Sequence, residues 1–464
     1  MEFSMLNVIG VMLLIAAIAG IVNEKVFKQS NTVGSMIATA CFSVVLLGLE
    51  SMDIIDIKGF EKILERIQFD QLLIHYLLPP LLFAGALHVA YSSLRSVKYA
   101  FITYATLGVV FSTVICAMIV FFAADIMGIN LSFMQALVFG VLISSTDPVC
   151  ALGILNRGGV NPSFRAKITG ESLGNDGTSI VLYMTLVTAA FGDYVAKDLL
   201  ASDEIQAAAM NLNYSLMAKN LVFEVIGGIV VGLFTAFIAS LMTKHTKNYE
   251  TQLLITLALV FFGYGLSETA HVSAPIMVVV AGLYIGNRTF KKFMSEENHK
   301  QVNEFWHLFD TILNSILFVL MGLTLVLVEL TWIMFAMGLV AIFAMMIARY
   351  CAIVLCNVIL LPVEEDKKTL FTTAPLVMTW GGLRGGISIA LALSIPNSQP
   401  EVRDLILAMT FMCVFFSVVV QGTTLATVLV WLKAANIESP EVIAQHEAEV
   451  AAEEKAEAEA EKNH

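Results

Sequence analysis

Charge is scarce in this chain. Of its 464 residues only 14% are Asp, Glu, Lys or Arg, while 58% are apolar, and mean hydropathy is +0.81. Soluble globular chains carry about 25% charged residues. A chain of this length in water would divide into about two or three domains; here apolar runs repeat from end to end, which points to one membrane unit. A basic run is also missing, and with it any sign of a nucleic-acid partner. No C-x-x-C pair occurs. Cys41, Cys116, Cys150, Cys351, Cys356 and Cys413 all fall in apolar segments and read as packing residues, not as a disulfide framework or a zinc site. The first apolar run, from Met5, has neither a positively charged leader before it nor an A-x-A site after it, so it reads as a true span. No cofactor is expected.

A crossing helix needs about 20 apolar residues. Runs of that kind occur thirteen times, at roughly 5–23, 32–50, 69–90, 99–124, 131–154, 166–192, 215–242, 250–267, 271–287, 308–328, 331–361, 370–395 and 404–432. The expected fold class is an all-α polytopic membrane protein with 13 transmembrane helices. Cytoplasmic loops are enriched in Lys and Arg. With the N-terminus outside, fifteen Lys and Arg fall in inner loops against six in outer ones, which puts the C-terminus in the cytoplasm. Residues 50–68 read as an interfacial helix and 193–214 as an external polar loop. Residues 288–307, basic and bearing Phe290, Phe293, Phe305 and Trp306, read as an amphipathic helix on the cytoplasmic surface. Glu438 to Glu461 hold nine Glu and one Lys, so much of the net charge of −12 belongs to a solvated tail.

Weak internal symmetry is visible. With the seventh span as a linker, spans 1–6 and 8–13 form two inverted six-helix repeats, and the fifth corresponds to the twelfth. Both are interrupted, one by Thr146-Asp147-Pro148 and the other by Gly381-Gly382-Leu383-Arg384-Gly385-Gly386. Interrupted helices at matching positions of inverted repeats point to a transporter binding site.

Three acids, Asp147, Glu171 and Asp176, lie in these apolar segments. A carboxylate at membrane depth is costly unless paired or bound to a cation, so such acids are candidates for function. Pro148 lacks an N–H and pushes Asp147 out of the helical region, which frees carbonyls near Ser145 and Thr146. On a helix Ser172 and Asp176 share one face, and Glu171 and Asn175 an adjoining one. That division lets Asp176 and Ser172 offer oxygens to an ion while Asn175 and a cationic partner hold Glu171. A hard monovalent cation takes several oxygens. Arg349, midway along the eleventh span, is too deep to reach water and needs a partner, for which Glu171 is preferred. Arg384 sits at the second break, where it either offsets the partial charge of a half-helix C-terminus or only steadies the crossover. These two cations and three acids leave −1, which suits one monovalent cation. Glu224 and Glu268 read as interhelical pairing residues, and His75 and His88 as structural histidines. Gly170-Glu171-Ser172-Leu173-Gly174 matches the nucleophile elbow, but that motif needs a strand–turn–helix and a triad His. An intramembrane serine hydrolase is therefore a minor reading, as is a cation channel, since no selectivity-filter repeat is present. A secondary transporter, not an enzyme, is expected.

At these residues the chain resembles the monovalent cation:proton antiporter-1 family, the NhaP/NHE type of sodium/proton exchanger, in its bacterial NhaP-like form. The likeness covers about residues 5–432. It rests on Ser145-Thr146-Asp147-Pro148, Gly170-Glu171-Ser172 with Asn175-Asp176-Gly177, Ile347-Ala348-Arg349, Gly381-Gly382-Leu383-Arg384-Gly385 and Leu78-Pro79-Pro80-Leu81-Leu82-Phe83. The resemblance implies a homodimer in the cell membrane with crossed broken helices 5 and 12. It implies Asp176 as the ion- and proton-binding acid, with Asp147, Glu171, Ser172 and the Thr146 carbonyl around it. Asn175 before Asp176 resembles the electroneutral members. Ala84 departs from the pattern, because many relatives carry an acid there. The activity expected is one-for-one exchange of Na⁺ or Li⁺ for H⁺, serving pH and sodium homeostasis, with K⁺/H⁺ exchange as the alternative. In that reading residues 1–433 form the antiporter domain and 434–464 an acidic cytoplasmic tail. Helices in about 99–192 and 331–432 make a moving core, those in 5–90 and 250–328 a scaffold and dimer surface, and 215–242 the linker.

Overall fold

The computed structural model describes residues 5–27, 31–52, 72–147, 162–191, 214–323, 331–362, 371 and 373–432. The expected surface helix beyond residue 52, the 193–214 loop, the fifth span past Asp147 and the acidic tail lie outside the described residues.

Among the described residues all regular structure is helical. In order the helices are α1 (Met5–Val22), α2 (Asn31–Ser51), α3 (Leu78–Leu87), α4 (Tyr91–Ser96), α5 (Lys98–Thr103), α6 (Val109–Ile126), α7 (Phe133–Leu142), α8 (Pro162–Phe191) and α9 (Tyr214–Lys244). There follow α10 (Tyr249–Thr269), α11 (Ala274–Tyr284), α12 (Phe290–Phe293), α13 (Glu296–Leu323), α14 (Trp332–Leu360), α15 (Thr373–Gly381), α16 (Gly386–Leu393), α17 (Pro400–Phe416) and α18 (Gly422–Trp431). π-Helical turns at Tyr104–Gly108, Ile285–Thr289 and Ser417–Gln421 join α5 to α6, α11 to α12 and α17 to α18. Each expected span overlaps at least one of these helices. Among the described residues six helices are long and apolar enough to cross a membrane, or seven when the bent pair α15–α16 counts as one crossing.

The outer face is apolar. Phe223, Phe234 and Phe237 on α9 and Trp332, Phe343 and Ile347 on α14 are exposed. Such a surface is at home in lipid, where closed helical ladders satisfy the backbone.

Packing sorts the helices into two groups. In one, α2 lies along α13, α3 along α11, and α9 against α10 and α11. In the other, α6 packs on α7 and α14, α14 on α17, α7 on α8, and α16 on α17. The groups meet where α8 touches α9 and α11 and where α16 touches α13.

One expectation is corrected. Residues 288–307 are not a separate surface helix. Residues 296–307 form the first turns of α13, which runs without Gly or Pro until Gly322, so nothing stops the helix. Trp306 is fully buried, its ring centroid 4.7 Å from that of Phe83, and its Nε1–H donates to Thr256 Oγ1 at 3.0 Å.

Candidate functional site

The site begins where two helices stop at mid-path. α7 opens on a capping box in which Ser132 Oγ accepts from the Gln135 N–H and the Gln135 side chain accepts from the Ser132 N–H. It ends at Leu142, and residues 143–147 continue as irregular chain. α15 and α16 are bent by 56° across Gly382–Gly385. The two breaks meet. The Asp147 N–H donates to the Leu383 carbonyl at 2.7 Å. Arg384 Nη1 donates to the Ser145 carbonyl at 2.9 Å, and its own N–H donates to Ser417 Oγ at 2.9 Å. Ser388 Oγ donates to the Leu142 carbonyl at 2.7 Å. A Cβ on Gly385 would lie 2.8 Å from the Asp147 side chain, so the approach requires glycine.

α8 passes beside this crossing with Glu171, Ser172, Asn175, Asp176 and Ser179 all buried. Ser145 Oγ donates to Asp176 Oδ1, while Asp176 Oδ2 accepts no hydrogen bond among the described residues. Thr146 Oγ1 and Ser172 Oγ are 3.0 Å apart. Asn175 Nδ2 donates to Thr146 Oγ1 at 2.7 Å and reaches Glu171 Oε1 at 3.5 Å, and Asn175 Oδ1 accepts from the Thr146 N–H at 3.3 Å. The amide therefore ties the first break to α8 through fixed, uncharged bonds.

Arg349 on α14 grips Glu171 with both terminal nitrogens: Nη1 donates to Oε1, and Nη2 to Oε2 at 2.8 Å. Both residues are buried, so this is a bidentate ion pair shielded from water. The guanidinium lies against the second break, where a Cβ on Gly382 would come within 2.8 Å of Arg349 Nε.

Between the two helix groups lies a cleft of about 60 Å³. Ser145, Asp147, Asp176 and Gly385 line one side of it, and Asp310 and Asn314 of α13 the other, with Leu78, Leu81, Leu82, Leu173, Leu317 and Ile387 among its apolar lining. Asp310 and Asn314 are residues that sequence reasoning missed. The signal was available: Asp310 is an acid within the tenth apolar span, the same rule that singled out Asp147.

The structure thus gathers Asp147, Thr146, Glu171, Ser172, Asn175, Asp176, Arg349 and Arg384 around one crossing. Arg384 reaches the Ser145 carbonyl, just past the C-terminus of α7. Other candidates fall elsewhere. His75 Nδ1 and Glu268 Oε1 pair at 2.8 Å between the turn before α3 and α10, in half-exposed surroundings. The His88 ring centroid is 6.5 Å from that of His307. Neither these residues nor Glu224 line the cleft.

Residues 13–431 match the family model described as sodium/hydrogen exchanger, transmembrane. The chain is 35% identical over 423 residues to the Na(+)/H(+) antiporter NhaP of Pseudomonas aeruginosa, covering 91% of this chain and 95% of that one. It is 29% identical over 421 residues to the Na(+)/H(+) antiporter NhaH of Halobacillus aidingensis, covering 90% and 96%. Among solved structures it resembles the sodium proton antiporter MjNhaP1 from Methanocaldococcus jannaschii at pH 8, with a TM-score of 0.68 at 20% identity, covering 91% of this chain and 97% of that one. That likeness is one of fold.

Proposed function

The chain belongs to the sodium/hydrogen exchanger family, and from that premise we propose that it exchanges Na⁺ for H⁺, one for one, with Asp176 as the group the two ions share. It is a multi-pass membrane protein and a secondary transporter, not an enzyme. The observation that carries the reading is the state of Asp176. Its carboxylate is buried, one oxygen is held by Ser145, the other accepts no hydrogen bond among the described residues, and the residue lines a cleft shared with Asp147. A carboxylate so placed is costly to leave charged and alone. It is stable with a proton on it or a cation beside it, and the arrival of one displaces the other.

Asp147 and Ser172, with the carbonyl of Thr146, complete the oxygen set. Glu171 is committed to Arg349 and acts as support. Asn175 cannot ionise, and its amide is used in hydrogen bonds to Thr146. That leaves Asp176 as the group on α8 free to trade a proton, which supports electroneutral exchange. The helices around α6, α7, α8, α14, α16 and α17 are the moving core. Those around α2, α3, α10, α11 and α13 are the scaffold of a homodimer in the cell membrane, and α9 is the linker. The N-terminus lies outside, the C-terminus lies in the cytoplasm, and Li⁺ substitutes for Na⁺. The role is control of internal pH and sodium.

The test is proton movement in proteoliposomes, followed by dye dequenching with Na⁺, Li⁺ and K⁺ in turn. Wild-type protein should respond to Na⁺ and Li⁺ without building a membrane potential, and Asp176→Ala should be silent. Exchange by Asp176→Ala at the wild-type rate would remove Asp176 from its role. A response to K⁺ alone would move the chain to K⁺/H⁺ exchange.

A further inference from the structure

The cleft beside Asp176 has two walls, and they belong to different helix groups. Asp147 and Asp176 stand on one. The other is α13, which packs along α2 and touches the opposite group through α16. From α13 come Asp310 and Asn314, one helical turn apart, with Asn314 Nδ2 donating to Asp310 Oδ1 at 3.0 Å. That bond fixes one carboxylate oxygen and leaves the other for a ligand. Asp310 and Asp147 line the same cleft, and among the described residues no Lys or Arg lines it. Two carboxylates facing one small space do not both stay charged unless a cation sits between them.

The size of the space bears on which cation that is. A single water needs about 10–15 Å³ of the same kind of volume. The cleft has about 60 Å³, enough for a small cation that keeps a few of its waters. Its leucine walls lower the local dielectric and concentrate the field of the acids.

We propose that Asp310, oriented by Asn314, is a cation ligand on the scaffold wall: it holds a partly hydrated Na⁺ jointly with Asp147 before that ion reaches Asp176. This rests on the reading of the chain as a Na⁺/H⁺ exchanger and adds a second subsite to it. Asp176 and Ser145 bind the ion on the core wall, and Asp310 binds it on the scaffold wall. When the core moves, Asp147 and Asp176 travel and Asp310 stays. The ion is then left with fewer oxygens at one end of the cycle than at the other.

The test is Na⁺-dependent exchange in proteoliposomes with Asp310→Asn, which keeps the shape and the bond to Asn314 but removes the charge. The apparent KM for Na⁺ should rise about tenfold, equivalent to about 1.4 kcal/mol, with a smaller drop in maximal rate. Asp310→Glu should recover most of the affinity. Asn314→Ala should raise KM by a smaller factor, about threefold. A purely structural role predicts the reverse split, with a lower maximal rate, KM unchanged and no recovery by Glu, and that result overturns the proposal. Should Asp310→Asn not fold, Asp310→Ser gives the same readout, and an unshifted KM there also overturns it. The two readings fail separately. Wild-type protein without Na⁺/H⁺ exchange defeats the functional assignment and this subsite with it. Active wild-type protein, silent Asp176→Ala and an unshifted KM at position 310 defeat the subsite alone.

Discussion

The two breaks do opposite jobs with opposite chemistry. The first, residues 143–147, follows α7 with Ser144, Ser145, Thr146 and Asp147, a run of side-chain oxygens. The second, Gly382–Gly385, is half glycine and supplies only Leu383 and Arg384 as side chains. One presents ligands, and the other makes room and brings a positive charge. Each also answers the other's helix ends. Arg384 binds a carbonyl just past the C-terminus of α7, where the helix dipole leaves partial negative charge. Asp147 packs against Gly385, just before the N-terminus of α16, where the dipole is positive. A single broken helix at this depth would leave such ends to the membrane. Two crossed breaks of unlike composition neutralise one another, so the oxygens stay available to an ion.

The strongest way to break this arrangement is through the pair that touches both sides. Glu171 is bonded to the Asn175 amide that holds the first break, and Arg349 lies against Gly382 of the second. Removing one partner of a buried ion pair costs about 3–5 kcal/mol, because the other charge is left alone. Arg349→Gln should lower stability in detergent by an amount of that order, read as a clear drop in melting temperature, and Glu171→Gln similarly. The double variant should lose less than the two singles summed. Additive losses would show that the residues act separately and that the pair does not tie the breaks together.

The next effect is one of space. Gly385 and Gly381 are both at the second break, but only Gly385 faces Asp147. A Cβ on Gly381 would meet Leu425 Cδ1 at 3.7 Å, an ordinary contact, while one on Gly385 would stand 2.8 Å from Asp147. Overpacking costs about 1–3 kcal/mol. Gly385→Ala should cut exchange at least about tenfold through displacement of Asp147, and Gly381→Ala should leave the rate within about twofold. Equal effects would mean that the second break needs glycine for its own backbone and not to admit the acid.

Much of this was legible in the sequence, and the reasons are specific. Asp147, Glu171, Asp176 and Arg349 are charges in apolar helices, and physics allows few explanations for them. Pro148 and the run of glycines at 381–386 mark interruptions that no continuous helix would carry. Helical spacing placed Glu171 beside Asn175. Asp310 was not seen because it follows a polar stretch, and that stretch was assigned to a surface helix ending at residue 307. With Trp306 buried and α13 unbroken, Asp310 belongs to the interior instead. The π-helical turns were equally silent, since they change hydrogen bonding without changing hydrophobic pattern. Ser388 and Ser417 looked like ordinary small residues, and only the crossing gives their hydroxyls partners on other elements.

The smallest test isolates the bond between breaks from serine chemistry in general. Ser388 is on α16 and Ser267 on α10, and both are buried. Ser388 Oγ donates to the Leu142 carbonyl, at the end of α7 and 246 residues away in sequence. Ser267 Oγ donates to the Gly263 carbonyl within its own helix at 3.0 Å. Losing a buried hydrogen bond of the first kind costs about 1 kcal/mol. A local back-bond of the second kind contributes little, because the carbonyl it uses also serves the helix. Ser388→Ala should therefore lower the melting temperature measurably and Ser267→Ala hardly at all. Because the Ser388 bond fastens the two breaks rather than forming either, the exchange rate of Ser388→Ala should fall less than that of Gly385→Ala. A rate loss as large as the glycine variant's would show that the hydroxyl positions the ion site itself.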